Sequence, residues 1–74
     1  MQYYELGKYI KQKRQELGYS LNKFAVECEI DSAILSRIEN LKQNIKINIL
    51  QKIASGFEMS PAEFLTKFEQ NNQN

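Results

Sequence analysis

Leu6, Ile10 and Leu17 return to one side of a helical turn, and Gly18 follows directly. Residues 4–17 are therefore predicted as a first amphipathic helix, with the glycine as its C-terminal cap. Ser20 can cap a second, short helix that carries Phe24, Ala25 and Cys28 inward and stops near Glu29 and Ile30, where the pattern breaks. Asp31 is the next N-cap. Beyond it Leu35 and Ile38 share an inner face, while Ser32, Ala33, Ser36, Arg37 and Asn40 fall on the opposite one. A polar loop from Asn40 to Lys46 precedes a fourth stripe of Ile47, Leu50, Ile53, Ala54 and Phe57. The run Ser60-Pro61-Ala62-Glu63 combines a capping serine, a proline at the first helical position and a glutamate three residues on. It opens a fifth helix bearing Phe64, Leu65 and Phe68. The expected organisation is a single all-α domain over residues 1–68 and a polar tail without fixed structure over 69–74, since Glu69-Gln70-Asn71-Asn72-Gln73-Asn74 has nothing apolar to bury.

Composition narrows the function. With 74 residues there is room for one modest core. One cysteine and no histidine exclude a disulfide framework, a Cys/His zinc finger and histidine-based acid–base or triad chemistry. No catalytic residues, cofactor or metal site are expected. Cys28 lies at an inward helical position without a basic neighbour and reads as core filler. Glu27, Glu29 and Asp31 alternate around a turn but lack the oxygen-ligand loop and glycine of a calcium site. Apolar runs such as Ile45 to Leu50 are interrupted by Lys46 and Asn48, far short of the roughly 20 apolar residues of a membrane span. The opening Met1-Gln2-Tyr3-Tyr4-Glu5 does not have the build of a signal peptide, so a cytoplasmic location is expected.

The net charge of +1 is small for a nucleic-acid partner. The positive residues are nonetheless grouped, with Lys8, Lys11, Lys13 and Arg14 in one set and Arg37, Lys42, Lys46 and Lys52 in another, so a local basic face remains available. Tyr3, Tyr4, Tyr9 and Tyr19 could form a stacking platform for single strands. Tyr9 beside Ile10 and Tyr19 ahead of the second helix read better as half-buried packing residues.

The order Ser20, Phe24-Ala25, Ile30, Asp31 and Ser36-Arg37-Ile38-Glu39, with the fourth and fifth stripes behind it, resembles the Cro and phage-repressor (Xre) helix-turn-helix family over roughly Leu6 to Leu65. The resemblance implies a five-helix lambda-repressor-like fold with the helix-turn-helix at helices two and three. It implies a sequence-selective regulator of transcription that binds double-stranded DNA as a homodimer on an inverted repeat. It also implies a partly buried ion pair between Arg14 and Glu39. In that arrangement the third helix enters the major groove and the second crosses the backbone. Ser32, Ala33, Ser36 and Arg37 are then the candidate base readers, with Ile34 a further thymine-methyl contact beside Ala33. Lys13, Ser20, Asn22, Lys23, Asn40, Lys42, Gln43, Asn44 and Lys46 are the candidate phosphate ligands.

The Asn44-Ile45-Lys46-Ile47 loop is similar to that of controller proteins of restriction–modification systems. Ile45, Ile49, Met59 and Phe68 fall off the inner stripes and are the expected dimer surface. The same fold occurs in antitoxins, so a toxin or other protein partner is the alternative reading. Glu29, Leu41 and Glu58 stand where the family commonly has glycines, which predicts altered turns there. Leu21 replaces a phosphate-clamping residue, and Ile45 a common proline.

Overall fold

A computed structural model describes residues 4–71 of the chain. Five helices follow one another: α1 Tyr4–Glu16, α2 Leu21–Cys28, α3 Ser32–Glu39, α4 Ile47–Gly56 and α5 Pro61–Asn71. No strand occurs among the described residues. The expected caps are in place. Ser20 Oγ accepts from the Lys23 N–H at 3.1 Å, Asp31 Oδ1 from Ala33 N–H at 2.8 Å, and Ser60 Oγ from Glu63 N–H at 3.1 Å. Each satisfies a donor that the first helical turn leaves free.

The core is a continuous aromatic chain. Tyr19 and Phe24 lie 5.4 Å apart between ring centroids, Phe24 and Phe57 4.4 Å, Phe57 and Phe64 5.5 Å, Phe64 and Tyr9 5.7 Å, and Tyr9 and Phe68 5.5 Å. Pairs at such separations add roughly 0.5–1.5 kcal/mol each to the burial of their area. The chain of rings ties α1, α2, α4 and α5 together. Leu6, Ile10, Leu35, Ile38 and Ile53 close around it, all but absent from the surface. Where α1 crosses α3, Gly7 lies against the Ile38 carbonyl, and a Cβ there would overlap that oxygen. The missing side chain is what allows the two backbones to approach.

Four helix C-termini end in the same turn. Gly18, Glu29, Leu41 and Glu58 have φ of 80°, 58°, 64° and 61°. In each case the next N–H reaches back five residues: Tyr19 to Arg14 O, Ile30 to Ala25 O, Lys42 to Arg37 O and Met59 to Ala54 O. This is the Schellman motif. The expectation of altered turns at Glu29, Leu41 and Glu58 is therefore corrected. The tertiary packing on either side holds the left-handed residue even where a side chain makes it costly.

Four other expectations change. Leu17 is 58% exposed rather than part of the α1 stripe, because the chain reverses at Gly18 and brings Tyr19, not Leu17, onto Phe24. Ile47 is 68% exposed: it opens α4 on the outer side, while Ile45 before it and Ile49 and Leu50 after it pack against the core. Tyr9 is fully buried, not half-buried, between Phe64 and Phe68. The 68/69 boundary also moves, since α5 continues through Glu69, Gln70 and Asn71. Once two turns are anchored by Phe64 and Phe68, each further residue adds a backbone hydrogen bond at little cost. Residues 72–74 of the proposed tail, like Tyr3, lie outside the described residues.

Candidate nucleic-acid interface

The second and third helices form the site. Phe24, Ala25 and Cys28 of α2 and Leu35 and Ile38 of α3 turn inward, and the turn through Glu29 and Ile30 sets the angle between the helices. What remains outward on α3 is the polar face. Ala33 and Arg37 are exposed, while Ser32 and Ser36 are half-buried. Ile34 packs against the core, which leaves Ala33 as the better placed methyl for a thymine contact. The eight residues of α3 run about 12 Å, and the helix cross-section of about 10–12 Å is what the major groove admits.

Two side chains expected at phosphates, Gln43 and Asn40, make hydrogen bonds to outward residues of α3. Gln43 Oε1 accepts from Arg37 Nε–H at 2.8 Å. Asn40 Nδ2 donates to the Ser36 carbonyl at 2.9 Å and to Ser36 Oγ at 3.3 Å. Both Asn40 contacts come from the one nitrogen, and Gln43 Nε2 has no partner among the described residues. No periodicity could have indicated the Arg37–Gln43 pair, because the five intervening positions run through a left-handed turn. Leu41 at φ 64° and the 2.8 Å bond from Lys42 N–H to Arg37 O fold the loop back along α3.

At the start of α2, the Ser20 cap engages one donor, and the N–H groups of Leu21 and Asn22 remain at the positive end of the helix. Asn22 and Lys23 are exposed beside them, and Lys42, Asn44 and Lys46 are exposed on the loop before α4. Lys13 is partly committed, with Nζ 3.3 Å from Glu16 Oε1. Lys52, of the second basic group, reaches the Glu29 carbonyl at 3.5 Å.

The scaffold under this face is fixed by Arg14 and Glu39. Arg14 Nε and Nη2 donate to the two Glu39 oxygens at 2.8 and 3.0 Å, and Nη1 donates to the Tyr19 carbonyl at 2.7 Å. One guanidinium thus joins the end of α1, the entry to α2 and the end of α3. Both side chains are nearly sealed from water, which places the pair deeper than the partly buried one expected.

A model of the helix-turn-helix family HTH_3 matches residues 10–64, most of the chain. The chain belongs to this family. Its Cro and phage-repressor type and its all-α fold follow with that assignment. The HTH-type transcriptional regulators SinR of Bacillus subtilis (strain 168) and of Bacillus licheniformis are each 39% identical over 56 residues, covering 74% of this chain and 50% of the relative. The chain thus spans half the length of the curated relatives it matches. Among solved structures, an HTH_3 family transcriptional regulator from Vibrio cholerae superposes with a TM-score of 0.75 at 33% identity, over 86% of this chain and 36% of that one. A SinR protein/SinI protein complex gives 0.72 at 32% identity, over 92% and 67%.

The remaining assignments sort by burial. Cys28 is buried, and burial together with the Glu27 charge pushes its thiol from 9.0 up to about 12, which keeps it protonated and inert. Among the described residues no group of three or more acidic, cysteine or histidine side chains is placed to hold a metal, and no helix is long and apolar enough to cross a membrane. Of the expected dimer residues, Ile45, Ile49 and Met59 are partly buried against the core. Phe68 is a correction: its ring is wholly inside, packed on Tyr9, and offers no surface to a second copy.

Proposed function

We propose that this chain is a cytoplasmic, sequence-selective, double-stranded-DNA-binding regulator of transcription that acts as a homodimer on an inverted repeat. The observation that carries the proposal is the outward face of α3, where an exposed arginine and two half-buried serines follow a helix whose capped start carries free amides and an exposed lysine. Arg37 supplies a fork for guanine O6 and N7, Ser32 and Ser36 supply hydroxyls, and Ala33 supplies a methyl contact. Lys23, Lys42 and Lys46, with Asn22 and Asn44, serve the backbone, which fixes register without carrying sequence. Lys13 joins them when it leaves Glu16. The second copy docks on Ile45, Ile49 and Met59, now with Ile47, whose exposure adds to that apolar margin.

Selection from a randomised duplex pool tests the reading. It should enrich a two-fold symmetric site, from which Arg37→Ala loses about 1–3 kcal/mol of specific affinity while remaining folded. Lys46→Ala should weaken selected and scrambled duplexes alike and lower the salt slope by about one. Sedimentation of Ile49→Lys should show a monomer. A second reading, a protein-binding module of the antitoxin kind, is favoured by the net charge of only +1. It would be preferred if affinity for duplex DNA did not vary with salt.

A further inference from the structure

We propose that Gln43 is a positioning residue that fixes how α3 presents its hydrogen-bond donors, by aiming Arg37 end-on at guanine. The inference rests on α3 being the reading helix and goes beyond it by assigning how Arg37 is oriented.

The argument is one of donor accounting. An arginine carries five N–H groups, one on Nε and four on the two Nη atoms. It can grip two acceptors side-on, through Nε and one Nη, or end-on, through both Nη atoms. In this chain Nε–H is taken by Gln43 Oε1 at 2.8 Å, so the side-on edge is closed. Among the described residues the Nη atoms have no partner, and the end-on fork faces outward from an exposed side chain. Guanine is the base that offers two acceptors, O6 and N7, to such a fork in the major groove.

Gln43 can do this because it is not a free loop residue. It is half-buried, and the bond from Lys42 N–H to the Arg37 carbonyl ties the residue just before it to the one whose side chain it holds. The turn after α3, which makes no base contact itself, thus shapes the sequence preference.

The test is selection from a randomised duplex pool by the 74-residue chain, followed by the same selection with Arg37→Ala, Gln43→Ala, Gln43→Glu and the Arg37→Ala/Gln43→Ala pair. All four substitutions lie outside the core, and circular dichroism verifies that each variant is folded. Arg37→Ala should erase one guanine preference. Gln43→Ala should reduce the same preference by roughly three- to ten-fold, and should change nothing further when Arg37 is already alanine. Gln43→Glu keeps an acceptor for Nε–H, so it should retain the guanine preference while its added negative charge weakens binding to every duplex. Replacing that guanine by 7-deazaguanine should cost the parent affinity and leave Gln43→Ala much less affected.

The proposal is overturned if Gln43→Ala lowers affinity for all duplexes by one factor with the profile intact, which would make Gln43 a backbone ligand. It is also overturned if the preference lost lies at a base pair that Arg37→Ala does not touch. If Arg37→Ala itself leaves the profile unchanged, the reading-helix assignment fails first, and this inference with it.

Discussion

Replacing Glu39 by alanine removes the acceptor for two of the three Arg14 hydrogen bonds, at 2.8 and 3.0 Å, and leaves a guanidinium whose side chain is only 8% exposed. A buried charge cannot recover its hydration without opening the fold, so losing one member of such a pair costs about 3–5 kcal/mol. At roughly 0.05–0.15 kcal/mol per residue the whole domain holds about 4–11 kcal/mol, so the loss takes a large part of it. For a domain of this size each kcal/mol shifts the midpoint by about 4–8 °C, which places Glu39→Ala at least about 12 °C below the parent. Thermal melting followed by circular dichroism, with urea unfolding at 25 °C as a check, measures it. The double variant Arg14→Met/Glu39→Leu takes out both charges and should recover part of the deficit, giving a coupling opposite in sign to the single losses. A Glu39→Ala midpoint within a few degrees of the parent would refute the reasoning. So would a double variant whose loss equals the sum of the two singles.

Other outcomes follow from the packing. Gly7→Ala should be destabilised by about 3 kcal/mol or more in urea unfolding, because the new methyl meets a backbone carbonyl that cannot rotate away. Gly56→Ala meets the Cys28 sulfur instead, so Cys28→Ala should rescue it in the same assay. Glu58→Gly relieves a left-handed residue at φ 61° and should raise the melting temperature by a few degrees, since the strain of about 1–2 kcal/mol exceeds the added flexibility of the unfolded glycine. Cys28 has its thiol raised from 9.0 to about 12 in the fold, so the unfolded chain releases that proton first. Its contribution is complete below pH 9 and is lost as pH rises towards 12, so stability should fall more steeply over that range in the parent than in Cys28→Ala, read by urea unfolding at each pH.

The amino-acid pattern alone determined the five helices and their inner faces, because local signals set both. Ser20, Asp31 and the Ser60-Pro61 pair start helices through hydrogen bonds within one turn, and Leu35 with Ile38 or Leu50 with Ile53 and Ala54 define stripes by spacing alone. The family motif likewise paired Arg14 with Glu39. Periodicity says which side of a helix is apolar, but not how much of that side a neighbour covers. Leu17 and Ile47 therefore ended in solvent, and Phe68 ended in the core against Tyr9 rather than on a dimer surface. Composition likewise weighs a left-handed turn as costly at Glu29, Leu41 and Glu58, and only the packing of the helices on both sides could show that the cost is met. The Arg37–Gln43 contact belongs to this second class. Hydrogen-bond partners across a turn depend on the path of the backbone, and that path was decided by the tertiary structure.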